Sequence, residues 1–204
     1  LVAVLDHLGM FIAMTFERNR LRNAGLSKAE VFDPGSDDDQ PHAFVFDISS
    51  PELITVATEH SSSFARAMTY LVKHGVDSRH PGCDILTVSA DQSSPVDRMI
   101  ELKSSGVHSR TQAMTWNEWK TAQSPDLRSH FYLYLAGNLR SDLPDARPFL
   151  RTVRDPYESM SSEEHEEETR SRKVVLYVSE FDEAEELTLG ITGSGQSSSS
   201  GSTI

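Results

Sequence analysis

Gly82-Cys83-Asp84-Ile85-Leu86-Thr87-Val88, then Ala90-Asp91-Gln92-Ser93-Ser94-Pro95, then Met99-Ile100-Glu101-Leu102-Lys103 form the segment around which the chain is organised. Two short apolar runs flank a segment of turn-forming residues, so the spacing predicts a β-hairpin. Alternate side chains of a strand share a face. Glu101 and Lys103 therefore point one way, while Ile100 and Leu102 point into a core. Pairing across the turn brings Asp84 back beside them. One acid, followed on the next strand by an acid and a lysine two apart, is the arrangement expected of a metal-dependent phosphodiesterase site. As spacing alone, with sixteen residues between Asp84 and Glu101, the same set also reads as surface ion pairs, each worth under ~1 kcal/mol.

Upstream, Leu1, Val4, Leu5, Leu8, Phe11, Ile12 and Phe16 recur at three- and four-residue steps, the mark of an amphipathic helix. Asn23-Ala24-Gly25 is its stop, and Arg18, Arg20 and Arg22 suit its negative pole. The loop Asp33–Pro41 carries three successive aspartates but lacks the spacing of a calcium loop. Ala43–Ile48 reads as a strand. Ser50-Pro51-Glu52 starts a helix with a hydroxyl cap, a first-turn proline and an acid at the positive pole. The pattern falters at Ser61-Ser62-Ser63 and resumes through Phe64, Ala67, Met68 and Leu71, so two helices or one broken helix fit equally. Glu59 and His60, near the break, are further candidates to face the hairpin.

Downstream, residues 104–113 read as a polar loop. Thr115 with Glu118 three residues on is a capping box, so a helix runs from there to about Gln123. Phe131–Ala136 is apolar on both faces and reads as a central strand; Phe149–Val153 is another, ended by Asp155-Pro156. Helix, helix, hairpin, helix, strand, strand implies an α/β fold, a mixed β-sheet flanked by helices. Residues 158–173 read as a flexible acidic linker and 174–190 as an extra strand, on a sheet edge, with an acidic segment. Residues 191–204 read as a disordered Gly/Ser tail.

The bulk composition narrows the classes. A chain of 204 residues, 37% hydrophobic, supports one well-cored domain with appendages. No apolar run approaches the ~20 residues of a membrane span. The opening Leu1 suggests an internal or C-terminal piece of something longer. A single cysteine, Cys83, forms no internal disulfide and suits an intracellular compartment, nuclear or cytoplasmic. A net charge of -12 argues at first against nucleic acid, but its distribution weakens that argument. Residues 155–204 hold twelve acids against three bases, a net of -9, and leave the first 154 residues at -3.

Phosphodiester cleavage needs a cation to neutralise the scissile phosphate and to acidify a bound water. Magnesium takes one or two carboxylates plus substrate oxygens and water, so Asp84 and Glu101 are the candidate ligands for Mg2+ or Mn2+, with the Leu102 carbonyl as a third. Lys103 is the candidate base or electrostatic partner. His108, Arg110 and Asn117 are candidate substrate contacts. Trp116 and Trp119 read as core residues or as base-stacking platforms, and Glu118 as the cap partner of Thr115 that could also reach the site. With one cysteine, zinc is not supported.

The runs Pro81–Ile85, Ile100–Ser104, Met114–Ala122, Phe131–Leu135 and Asp155-Pro156 together resemble the C-terminal domain of the plant protein NO VEIN, over about residues 62–157. The most specific part is Asn117-Glu118-Trp119. That family is similar to the PD-(D/E)XK nuclease superfamily, which implies a restriction-endonuclease-like fold with Asp84, Glu101 and Lys103 in the signature positions. The chain departs from the superfamily in one respect. The helix before the hairpin carries no acid in Ser63–Met68, and Glu59 lies a turn too early to replace it. The resemblance further implies a longer polypeptide carrying an Hsp90/histidine-kinase-like ATPase module, with residues 1–50 as helix and linker and 51–157 as the nuclease-like domain. Two functions follow: a magnesium-dependent nuclease acting on nucleic acid, or a catalytically inactive module binding nucleic acid or protein.

Overall fold

The computed structural model describes residues 2–35, 43–89, 94–106, 111–140, 147–160, 162–166, 172–177 and 186–187. Its strands are β1 (Glu30–Val31), β2 (Ala43–Asp47), β3 (Ile85–Ser89), β4 (Arg98–Ser104), β5 (Thr111–Thr115), β6 (Phe131–Gly137), β7 (Phe149–Arg154), β8 (Ser162–Glu166), β9 (Arg172–Tyr177) and β10 (Glu186–Leu187). Its helices are α1 (Val2–Asn23), α2 (Pro51–His60), α3 (Ser62–Lys73), α4 (Trp116–Ala122) and α5 (Pro156–Ser159). Among the described residues no helix is long and apolar enough to cross a membrane.

The hairpin forms as the alternation predicts: β3 and β4 pair antiparallel, with Ile85 opposite Ile100 and Thr87 opposite Arg98. They lie inside a seven-stranded sheet of order β1-β2-β3-β4-β6-β7-β10. The β1/β2 and β4/β6 pairs are parallel and the others antiparallel, so the sheet is mixed and the class is α/β. A parallel partner for β4 needs a crossover, and β5 with α4 supplies it. The two sheet faces feed two cores. Ile85, Ile100, Tyr134 and Ala136 pack with Ile12, Ala13 and Leu21 of α1. Leu86, Met99, Leu133 and Leu135 pack with Phe64, Met68 and Leu71 of α3 and Trp119 of α4. At about 1.5–3 kcal/mol for each large apolar side chain removed from water, these two layers outweigh any single ion pair in holding the fold.

Several expectations change. Helix α1 is part of the fold rather than a connecting segment, because it lies across β2, β4 and β6. Its buried face is narrower than the apolar periodicity suggests: Phe11 stays 68% and Val4 66% exposed, while Gly9 and Ala13 sit against the sheet. Close approach decides this, since a Cβ on Gly9 would fall 2.1 Å from Ser104 Oγ. Glu17 is fully buried and fastens α1, pairing with Arg20 at 2.7 Å and Arg98 at 3.2 Å and accepting a hydrogen bond from Tyr134 Oη. The boundary expected at residue 51 therefore does not divide the structure, because β2 pairs with β3 along its whole length.

Residues 50–73 form two helices. Ser61 ends α2 and caps α3, its hydroxyl accepting from the Phe64 N–H. The loop expected over 104–113 closes with strand β5, and part of the expected acidic linker is strand β8. Both pair with β9 in a three-stranded sheet, so β9 is central there and not on an edge. The expected Gly/Ser tail lies outside the described residues.

Candidate active site

Asp84 sits one residue before β3, where its backbone is held on both sides. Its N–H donates to the Ile100 carbonyl at 2.9 Å, and its carbonyl accepts from the Ile48 N–H at 2.8 Å. Its side chain then reaches across to β4, Oδ2 accepting from the Leu102 N–H at 2.9 Å. Leu102 lies past the start of β3, so the strand edge there is open to the side chain instead of to a paired strand. Glu101 and Lys103, one strand pitch apart, share the face opposite Ile100. Lys103 Nζ donates to Glu101 Oε1 at 2.5 Å and to Glu118 Oε2 at 3.0 Å. Glu118 arrives from α4, where the capping box forms as predicted: Thr115 Oγ1 accepts from the Glu118 N–H and Glu118 Oε2 from the Thr115 N–H.

The structure thus gathers Asp84, Glu101 and Lys103, and adds Glu118. Asp84, Glu101 and Glu118, with the Ser50-Pro51 end of α2 and the loop carrying Asp77, Arg79 and His80, border a cleft of about 400 Å³, and Lys103 is ion-paired to two of these acids. Burial drives the electrostatics. It pushes the Asp84 carboxyl up to about 6, against the Leu102 N–H and the Lys103 charge, which pull it down. It also drives Glu101 well above the usual carboxylate range, with the Asp84 charge adding to it. Lys103 would be lowered by the same burial, but the Glu101 and Glu118 carboxylates outweigh that and hold it as an ammonium.

Among the described residues no group of three His, Cys, Asp or Glu side chains is placed to hold a metal ion. Magnesium takes only one or two carboxylates and keeps water on its other positions.

The remaining candidates divide. Asn117 borders the cleft, yet its Nδ2 donates to the His80 carbonyl at 2.7 Å, which ties α4 to the rim loop. His108 and Arg110 lie outside the described residues. Glu59 and His60 do not face the site, since the opposite end of the ten-residue α2 borders the cleft. Trp119 is buried, its ring 5.6 Å from that of Tyr157, and Trp116 packs against the same core, so both serve packing. The rim residues Asp77, Arg79 and His80 escaped the sequence reading, as no spacing marks an exposed loop as part of a distant cleft.

Asp84, Glu101 and Lys103, with Asn117-Glu118-Trp119 on the helix that follows, lie within a stretch that resembles a known family. Residues 55–148 match the family described as "Protein NO VEIN, C-terminal". The matched stretch runs from α2 to the residue before β7 and contains every member of the cluster. The matched segment therefore carries the cluster, while α1, β2, the Ile48–Pro51 side of the cleft and the β8–β9 strands lie outside it. No curated protein and no solved structure matches the chain.

Proposed function

We propose that the Asp84–Glu101–Lys103 cluster hydrolyses phosphodiester bonds of nucleic acid with the help of a divalent cation. The carrying observation is that half-buried Asp84 and buried Glu101 border one cleft with Glu118, while Lys103 is fixed between Glu101 and Glu118. Asp84 and Glu101 would hold Mg2+ or Mn2+, with the Leu102 carbonyl as a third ligand. A bound divalent cation would neutralise the scissile phosphate and acidify a water. Lys103, kept protonated by its two carboxylates, acts as a cation toward the phosphate and not as a proton acceptor. The mixed sheet, with the acid at the start of β3 and the glutamate and lysine on β4, supports a restriction-endonuclease-like reading of the fold.

The test is cleavage of DNA and RNA in Mg2+ or Mn2+ by wild type and Lys103→Ala. A loss of about a hundredfold or more in the variant is expected for a lost electrostatic group. Equal cleavage by both would overturn the reading.

One observation favours a second function, an inactive binding module within a longer ATPase-containing chain. Helix α3 carries no acid over Ser62–Lys73 and turns Phe64, Ala67, Met68 and Leu71 inward, so it offers no further ligand to the cleft. Nucleic acid bound in Mg2+ without cleavage would select it.

A further inference from the structure

We propose that Glu118 is a positioning residue that takes the Lys103 ammonium when Glu101 engages a divalent cation; this rests on the nuclease reading above. Lys103 Nζ bridges an inner and an outer carboxylate. Glu101 is 3% exposed, whereas the side chains of Lys103 and Glu118 are 17% and 18% exposed. The ammonium has donors enough for both acids, and a cation drawing on Glu101 leaves Glu118 as its remaining anionic partner. Glu118 is held for this task from its own side, since Oε2 also accepts from the Thr115 N–H at 2.9 Å. The Thr115 backbone N–H thus fixes the carboxylate that fixes the lysine. With the Glu118 charge removed, Lys103 has only Glu101 to pair with and competes with the cation for it.

Cap and charge are separable. Glutamine serves the third helical position of a capping box as well as glutamate does, so Glu118→Gln keeps the cap and removes the charge. Thr115→Ala does the reverse. Mn2+ titration by calorimetry, with Mg2+ titrations of the Lys103 side-chain ammonium resonance by NMR, separates the roles. Loss of an outer partner weakens metal affinity by about tenfold or more. That loss is expected in Glu118→Gln at an unchanged unfolding temperature, with the Lys103 resonance lost on Mg2+ addition. Thr115→Ala is expected to melt earlier and bind Mn2+ as wild type does. Wild-type affinity in Glu118→Gln, or equal weakening in both variants, overturns the inference and leaves the nuclease reading standing. A wild-type chain that binds neither ion overturns both.

Discussion

A Cβ on Gly82 would lie 2.8 Å from the backbone carbonyl oxygen of Asn117. The first turn of α4 is therefore seated directly on the turn that launches Asp84. Gly82 adopts φ +72°, in the left-handed region that favours glycine. Thr121 Oγ1 donates to the Pro81 carbonyl at 3.1 Å, and Asn117 Nδ2 donates to that of His80. These contacts explain why the hairpin and the Asn117-Glu118-Trp119 block occur together. One sets the acid, and the other clamps the turn from which the acid projects.

Gly82→Ala is expected to lower stability by roughly 2–4 kcal/mol, from left-handed strain together with overlap against α4. Urea unfolding measures it. A midpoint equal to that of wild type would mean that α4 can withdraw from the turn without loss.

Asp84 makes the metal-free protein sensitive to pH. Its folded-state pKa, about 6, lies above the ordinary aspartate value of 3.8, so the folded chain holds this proton more tightly than the unfolded one. The contribution is complete below about pH 4 and is lost as pH rises through about 6, amounting to about 3 kcal/mol at most. Asp84→Asn keeps an oxygen for the Leu102 N–H and carries no charge. It should flatten this part of the stability profile and raise metal-free stability at pH 7, while abolishing stabilisation by Mn2+. Thermal melts from pH 4 to 8 test both statements.

Lys103→Met removes the close partner of a glutamate that is 3% exposed. An unpaired buried charge costs about 3–5 kcal/mol, but Glu101 can escape by taking a proton. The metal-free variant should therefore lose most stability at alkaline pH and little at acidic pH. Denaturant unfolding at pH 5 and pH 8.5 separates the two. An equal loss at both would assign the effect to packing of the lysine stem.

Deleting residues 1–50 strips β2 from β3 and uncovers the face against which α1 packs. The chain from residue 51 onward should show no cooperative unfolding, although it contains the whole family match. Glu17→Ala in the full chain takes a shared acceptor from Arg20, Arg98 and Tyr134. It should cost about 3–5 kcal/mol as a broken buried ion pair. A sharp wild-type-like transition in the shortened chain would show that α1 and β2 are dispensable.

The sequence by itself determined what depends on neighbours along the chain. Period-two alternation placed Glu101 and Lys103 on one face, the Thr115-to-Glu118 spacing announced a cap that forms, and the doubly apolar run at Phe131 marked a strand buried on both sides. Only the tertiary structure decided what depends on distant partners. The apolar spacing of α1 cannot show which face is buried, because that rests on Gly9 fitting beneath Ser104 and Ala136. Strand β5 pairs with residues about sixty positions away, a contact that no local pattern encodes. Glu118 reads as a cap partner in the sequence, and becomes part of the cluster because α4 is docked against Gly82, which turns its carboxylate toward Lys103.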